Sequence, residues 1–259
     1  MEKRKEGKLE IKRKPFQGVW NILLFNWHYY AILLLFIVLA VAFAHLFPFQ
    51  FQPWKVYLLA FVTISSVISL IVSYWIYDRT DLYSFPLIEH LDNKQVLNIH
   101  AGFDETSALI QSKFPSANLT IADFYDPLKH REVSIKRARK RYPNHPLCKA
   151  VNPLNLSYQN NSFDCILVIF AAHEIRNEEE RVEFFKELKR VLKPEGQIVV
   201  MEHRRDWLNF LAYQIGFLHF YSDRQWRRIF KEAALILVNA TKQYGLITTY
   251  KLKKYGTSH

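Results

Sequence analysis

An α/β fold built on a doubly wound, mostly parallel sheet, preceded by a two-helix membrane hairpin, is the architecture this sequence predicts. Three observations predict it. From Val96 onward short apolar runs alternate with helix-period segments, and strands that alternate with helices make a parallel sheet covered on both faces. Before that point lie two long, nearly uninterrupted apolar runs. Half of the 259 residues are hydrophobic while mean hydropathy is only −0.10, so the apolar residues are concentrated rather than spread.

Residues 1–19 read as a basic tail, with Lys3, Arg4, Lys5, Lys8, Lys12, Arg13 and Lys14 against Glu2, Glu6 and Glu10. Residues 20–77 read as the hairpin. Ala31 to Phe47 and Val56 to Tyr77 are its two spans, each close to the roughly 20 residues needed to cross a hydrocarbon core of about 30 Å. Trp27, Tyr29, Tyr30 and Trp54 stand at the span starts, where aromatic rings meet lipid headgroups. The Pro-containing connection FPFQFQPWK is short, so both ends of the hairpin return to one side. Basic residues on the N-terminal flank outnumber the single Lys55 in the turn, which predicts an inner, cytoplasmic membrane protein with both termini in the cytoplasm. His45 reads as an interfacial residue. Residues 78–94 read as a linker with a short helix at Leu87 to Leu91.

Residues 95–254 read as the α/β domain: strand 96–100, helix 105–114, strand 118–123, helix 130–141, strand 165–170, helix 177–192 and strand 197–202. In RNEEERVEFFKELKRVL the residues Val182, Phe185, Leu188, Val191 and Leu192 recur on one helix face, and LKPEGQ supplies the stop. The tail reads as an aromatic run from Trp207 to Tyr221, a helix over 223–234, and a hairpin whose strands flank Tyr244-Gly245.

The formal charge of +11 calls for an anionic partner. The hairpin makes the anionic face of a membrane that partner, and no aromatic stacking platform is interleaved with the basic residues, which argues against nucleic acid. The cluster Lys136, Arg137, Arg139, Lys140 and Arg141 reads as a solvated helix face, with attraction to anionic lipid as its second role. Cys148 and Cys165 have no C-x-x-C spacing, so no disulfide framework or zinc site is expected, and a reducing compartment fits.

The stretch VLNIHAGFDETSALI reads as strand, tight turn and first helical turn, a nucleotide cradle in which Gly102 lets a ligand approach the backbone. Asp123, closing LTIAD about 20 residues on, stands where an acid holds a ribose. His173 and Glu174 follow one strand and Glu202 and His203 end the next, at the carboxyl edge where open α/β sheets bind ligands.

With these residues in place the chain resembles the class I S-adenosylmethionine-dependent methyltransferases that act on quinones, lipids and other small hydrophobic molecules. The resemblance spans roughly residues 94–254 and rests on VLNIHAGFDETS, NLTIADFY, NPLNLSYQNNSFDCILVIFAAHEI and FFKELKRVLKPEGQIVVMEH. It implies a Rossmann-like sheet and S-adenosylmethionine as cofactor, bound by Asn98, His100, Ala101, Gly102, Asp123, Phe124, Asn152 and Phe170. It also implies transfer to a hydrophobic or lipid-like acceptor, with His173 as base where the acceptor is a hydroxyl. The alternative is a membrane-anchored domain of this fold that binds without catalysis; a nicotinamide enzyme is disfavoured because G-x-G-x-x-G is missing. The chain departs from the family at its glycine loop, which reads Asn98, His100, Gly102 and Asp104 and keeps one glycine, and at Asn152-Pro153, where an acid is usual. Side chains at His100 and Asp104 are expected to narrow the loop or to bind the ligand themselves.

Overall fold

The computed structural model describes residues 13–43 and 52–254. His45 and most of the predicted turn lie outside the described residues. Two long helices, α1 (Gln17–Ala42) and α2 (Gln52–Tyr74), precede β1 (Gln95–His100), α3 (Ser107–Lys113), β2 (Asn118–Asp123) and α4 (Val133–Arg141). Then follow β3 (Lys149–Ala150), β4 (Phe163–Ile169), α5 (Glu178–Val191), β5 (Leu192–His203), α6 (Trp207–Tyr213), α7 (Asp223–Glu232), β6 (Leu235–Gln243) and β7 (Ile247–Lys254).

The seven strands form one sheet in the order β3-β2-β1-β4-β5-β7-β6. β1 to β5 run parallel, and β7 joins antiparallel between β5 and β6. The order reverses at β1, whose neighbours are β2 and β4; the crevice above that reversal is where a doubly wound sheet binds its ligand. β1 is buried along all but its first residue, and β4 along all but Asp164, the continuous apolar reading expected of strands covered on both faces. One core packs α5 and α7 on the sheet through Phe184, Phe185, Leu188, Trp226 and Phe230. The opposite face is covered by Leu82, Phe85, Ile88, Ile110 and Ala212.

Three expectations are corrected. The short helix expected at Leu87 to Leu91 is irregular chain after a turn at Pro86 and Leu87, and a single 3-10 turn stands earlier, at Leu82–Ser84. β5 begins at Leu192, not 197, because Leu192 pairs with Phe163 before an irregularity lets Gln197 pair with Cys165. The first helix starts at Gln17, inside the expected tail, and its first half belongs to the α/β domain. Gly18, Asn21 and Phe25 are buried, and the helix loses helical geometry at Asn26, whose side chain donates to the Ile22 carbonyl at 3.1 Å. That kink separates a docked half from an exposed apolar half.

Docking is specific. The Asp78 carboxylate, just beyond α2, accepts the free N–H groups of Gly18 (2.7 Å) and Val19 (2.9 Å) at the start of α1. A Cβ at Gly18 would fall 2.4 Å from the Tyr77 Cβ, so only glycine allows this approach. Beyond the kink, Ile32, Leu34, Phe36, Val38 and Val41 are exposed, as are Trp54, Val56, Phe61, Ile64 and Ile71 of α2. Both helices are long and apolar enough to cross a membrane, and only 6% of each most apolar window is buried, unlike the core helix of a soluble protein. Ser65 and Ser66 donate their hydroxyls to the Phe61 and Val62 carbonyls, so these two polar groups are satisfied within α2.

Candidate active site

β1 delivers His100 and the following loop to the crevice, and β2 delivers Asp123 beside it: the two strands pair residue for residue, His100 opposite Asp123. Gly102 takes φ +91°, a conformation only glycine adopts without strain, and turns the chain toward α3. Asn98, fully buried, donates through Nδ2 to the hydroxyls of Thr106 (2.9 Å) and Ser107 (2.7 Å), fastening the strand to the start of α3. Its Oδ1 is buried without a partner among the described residues. Asp104 accepts the N–H groups of Thr106 and Ser107 at 3.0 and 2.9 Å, so this carboxylate caps α3 and is not spent on a ligand.

The His100 ring fills the place of the family's first glycine. Its Nδ1 accepts the Gly102 N–H at 3.3 Å, Cys148 Sγ lies 3.5 Å from Nε2, and Asp104 and Asp123 flank it at 3.9 and 3.6 Å. Burial pushes its pKa down, more than the two aspartates push it up. Asp123 is buried and already fully engaged. Oδ2 accepts from Arg139 (2.5 Å) and Asn144 (2.7 Å), and Oδ1 accepts the Tyr125 N–H (2.9 Å). Burial raises its carboxyl, but His100 and these donors outweigh that and hold it below the usual carboxylate range. Arg139 also lies 4.2 Å over the Tyr125 ring, and that ring stands only 2.8 Å from where a Gly102 Cβ would be.

S-adenosylmethionine, the cofactor implied by the resemblance, presents an ammonium, a ribose diol and an adenine to such a crevice. The residues fit that set in kind: Asn98 Oδ1, buried without a partner among the described residues, would accept from an N–H donor, Asp123 would accept from a diol once Arg139 leaves its Oδ2, and the Gly102 turn admits close approach. Arg139 and Tyr125, both part-buried, fill the space between them, so a cofactor would enter only with the Arg139–Asp123 pair parted. Ala101 lines the loop, whereas Phe124 packs into the core against Phe184 at 5.4 Å. Asn152 turns back on its own chain, accepting the Leu154 N–H at 3.0 Å. Phe170 lies on the other side of β1, stacked on His203 at 5.4 Å.

The hairpin reaches this loop. Glu105 accepts from Asn21 (2.7 Å) and Tyr83 (2.8 Å) and pairs with Arg13 (3.1 Å). Tyr142 donates to Asn21 at 2.7 Å, and Phe25 packs edge-on against Phe103 at 5.3 Å. On α4, Arg137 donates to the Phe25 carbonyl at 2.7 Å while Arg139, two residues on, holds Asp123. Two members of the basic cluster expected to be solvated are therefore fasteners between α1, α4 and the crevice.

Toward β4 and β5 the second half of the site assembles. His173 Nδ1 donates to Glu202 Oε2 at 2.7 Å, the His173 N–H to Glu202 Oε1 at 3.2 Å, and Nε2 lies 3.2 Å from Glu174. Although burial opposes its charge, Glu202 and Glu174 raise the His173 pKa to about 10. That environment favours the charged ring, whose Nδ1 and Nε2 both face carboxylates. His203, by contrast, sits in an aromatic box of Phe170, Tyr213 and Phe220. Its Nδ1 donates to Asn209 Oδ1 at 3.1 Å and its Nε2 accepts from Tyr77 at 2.7 Å.

Burial, more than any neighbouring group, lowers the His203 pKa to about 4 from 6.5. The unfolded chain thus takes up a proton at this residue that the folded chain refuses, so stability contributed above pH 6.5 drains away as pH falls to 4 and then levels. The expected loss is about 3 kcal/mol. Thermal unfolding of the full chain in detergent should show this acid-side slope, and His203→Gln should flatten it; equal slopes in both proteins would contradict the assignment.

A cavity of about 650 Å³ lined by Lys94, Asp164, Lys193 and Lys251 opens at the other edge of the sheet, at the strand starts, away from this chemistry.

Comparisons agree with this geometry. A family profile described as "Methyltransferase domain" matches residues 121–200. The ubiquinone/menaquinone biosynthesis C-methyltransferase UbiE of Geotalea daltonii is 28% identical over 116 residues, 44% of this chain and 48% of that protein. The chain thus matches about half the length of this curated relative. A SAM dependent methyltransferase from Aquifex aeolicus superposes with a TM-score of 0.50 at 16% identity, over 73% of this chain and 97% of the other. Geranyl diphosphate C-methyltransferase from Streptomyces coelicolor A3(2) gives 0.50 at 10% identity, over 72% and 83%. These two likenesses show the fold: a Rossmann-like methyltransferase sheet.

Proposed function

We propose that this S-adenosylmethionine-dependent methyltransferase domain methylates an apolar small molecule or lipid-like acceptor at a membrane surface, where its own N-terminal hairpin holds it. The observation that carries the reading is continuity of apolar surface. Trp207, Phe210, Leu211, Ile215 and Leu218, from α6 and the turn after it, are exposed, and α6 packs on α2, so the wall beside His173 and His203 runs into the surface of the hairpin. A water-soluble acceptor gains nothing from such a wall, whereas an apolar one is concentrated along it. The quinone-pathway relative supports the same acceptor class.

Bound S-adenosylmethionine supplies an electrophilic methyl group on sulfur. The chain's own part is placement. Asn98, the Gly102 turn and Asp123 would hold the donor, with His100 closing the floor between the two aspartates. Phe170, Tyr213 and Phe220 offer flat apolar faces for a ring, at the mouth that His173 shares. The charged His173, fixed by Glu202 through Nδ1, would turn its Nε2–H from Glu174 to an acceptor oxygen and favour that oxygen's ionised form, its proton leaving to water, so that an electron-rich oxygen or the carbon conjugated with it meets the methyl group as the carbon–sulfur bond breaks.

One observation favours a second reading, a non-catalytic binding domain: Arg139 and Tyr125 occupy the space a cofactor needs. Equilibrium binding of S-adenosylmethionine and of NAD to the full chain in lipid nanodiscs separates the readings. Binding of the first and not the second is expected; no binding of S-adenosylmethionine by either the native chain or Arg139→Ala would leave only the second reading.

For topology, the shared base of α1 and α2 at Asp78 supports both ends of the hairpin on one side, and the charge bias of the sequence makes that side the cytoplasm. Reporter fusions at His259 should read out from the cytoplasm. A signal from the far side would overturn the topology.

A further inference from the structure

We infer that His173, Glu174 and His219 form a binding site for a divalent transition-metal ion of the zinc type, set at the mouth of the acceptor cleft. Their ligand atoms all lie within 4.8 Å of one another, although two come from the turn after β4 and the third from the 3-10 segment that follows α6. Two imidazoles and one carboxylate are the donor set that suits zinc and its first-row neighbours, and not the all-oxygen set of calcium or magnesium.

A second feature points the same way. Ligand histidines in metal sites usually hand their other ring N–H to a carboxylate, which fixes the tautomer and aims the free nitrogen at the ion. His173 does this: Nδ1 donates to the fully buried Glu202 at 2.7 Å, leaving Nε2 directed at Glu174. Glu202 is itself held by the His173 main-chain N–H. Glu132 supports the other imidazole, 3.0 Å from His219 Nε2.

Charge also favours the ion. Glu132, Glu174 and Glu202 surround the cluster, with Arg176 and the His173 ring as their positive partners among the described residues, and a divalent ion would take the place of the His173 Nε2 proton without leaving the carboxylates unbalanced. Arg176 is the competitor. Its guanidinium contacts His219, Glu132 at 3.1 Å and Glu174 at 3.7 Å. It is two-fifths exposed, however, and its Nη1 also donates to the His219 carbonyl at 3.0 Å, an attachment it can keep while the other arm swings clear. Ligand bonds of about 2.0–2.2 Å require the three side chains to draw together. His219, one-third exposed on a 3-10 turn, has the freedom to do so.

The site stands whether or not the chain transfers methyl groups; only the ion's role rests on the proposed function. In that role it would polarise an oxygen of the acceptor, which makes the acceptor a compound with a hydroxyl or carbonyl next to the methylated position.

The test uses the untagged full chain in detergent, stripped with chelator and titrated with Co²⁺, whose visible absorption reports ligand number. One equivalent should bind with a four- or five-coordinate spectrum and be displaced by Zn²⁺. His219→Ala, a change at a part-exposed turn, should abolish the spectrum, Glu202→Gln should weaken binding about 10–100-fold, and Arg176→Ala should strengthen it. S-adenosylmethionine affinity measured on the same samples keeps failure of this site distinct from failure of the methyltransferase reading. Absence of stoichiometric Co²⁺ or Zn²⁺ binding would overturn the inference, as would binding that survives His219→Ala unchanged.

Discussion

His173→Ala should lower methyl transfer by about 10²–10³-fold while leaving S-adenosylmethionine affinity within twofold of the native chain. The size follows from what the residue offers: one donor, part-buried, charged and fixed by Glu202, that favours the ionised form of the acceptor oxygen. The split follows from its place. His173 lies beyond β4, among Glu174, Glu202 and the Phe220 ring, whereas the groups proposed to hold the donor stand on β1 and β2. Turnover should be read as label passing from methyl-labelled S-adenosylmethionine into an organic extract, and affinity by calorimetry on the same protein. Unchanged turnover, or a matching loss of affinity, would remove His173 from the acceptor side.

Asp123→Asn and Arg139→Ala should move cofactor affinity in opposite directions. Asn keeps an acceptor for the Tyr125 N–H but removes the charge that a ribose diol would meet, and loss of a charged hydrogen-bond partner costs about 1.5–3 kcal/mol, or tenfold to more than a hundredfold in affinity. Arg139 now occupies that same oxygen at 2.5 Å, so its removal frees the carboxylate and the space above Gly102. Because Arg139 is nearly one-third exposed and its ion pair is partly screened, the gain should be smaller, severalfold. Calorimetric titration of the full chain in nanodiscs checks both. Weaker binding in Arg139→Ala would mean that the guanidinium holds the ligand and does not compete with it.

Much of the fold was legible because it rests on local pattern. β2 runs over 118–123 as its apolar run predicts, and the tail folds into the hairpin that Tyr244-Gly245 signals. The acid at the end of β2 was legible too, since the strand's length sets where its last residue stands. What was not legible depends on packing between distant segments. Nothing in the sequence near Asn21 announces that it will meet Glu105 and Tyr142, and α1 reads as a plain apolar helix until its first half is seen docked. Likewise Arg137 and Arg139 look alike in a basic run. Only the placement of α4 sends one to the Phe25 carbonyl and the other to Asp123. His219 was passed over for the same reason: it lies in an aromatic run, and its neighbours His173 and Glu132 are far away in the chain. The histidine before Gly102 did carry a signal. A side chain in place of the first loop glycine must fill the loop, and the His100 ring does.

The most direct measurement incubates the full chain in nanodiscs with methyl-labelled S-adenosylmethionine and a total membrane lipid extract, then partitions the products between organic and aqueous phases. Label should collect in the organic phase, fall at least tenfold with Asp123→Asn, and stay absent from water-soluble acceptors offered in the same assay. Label confined to the aqueous phase, or organic label that is indifferent to Asp123, would contradict an S-adenosylmethionine-dependent methyltransferase of apolar acceptors.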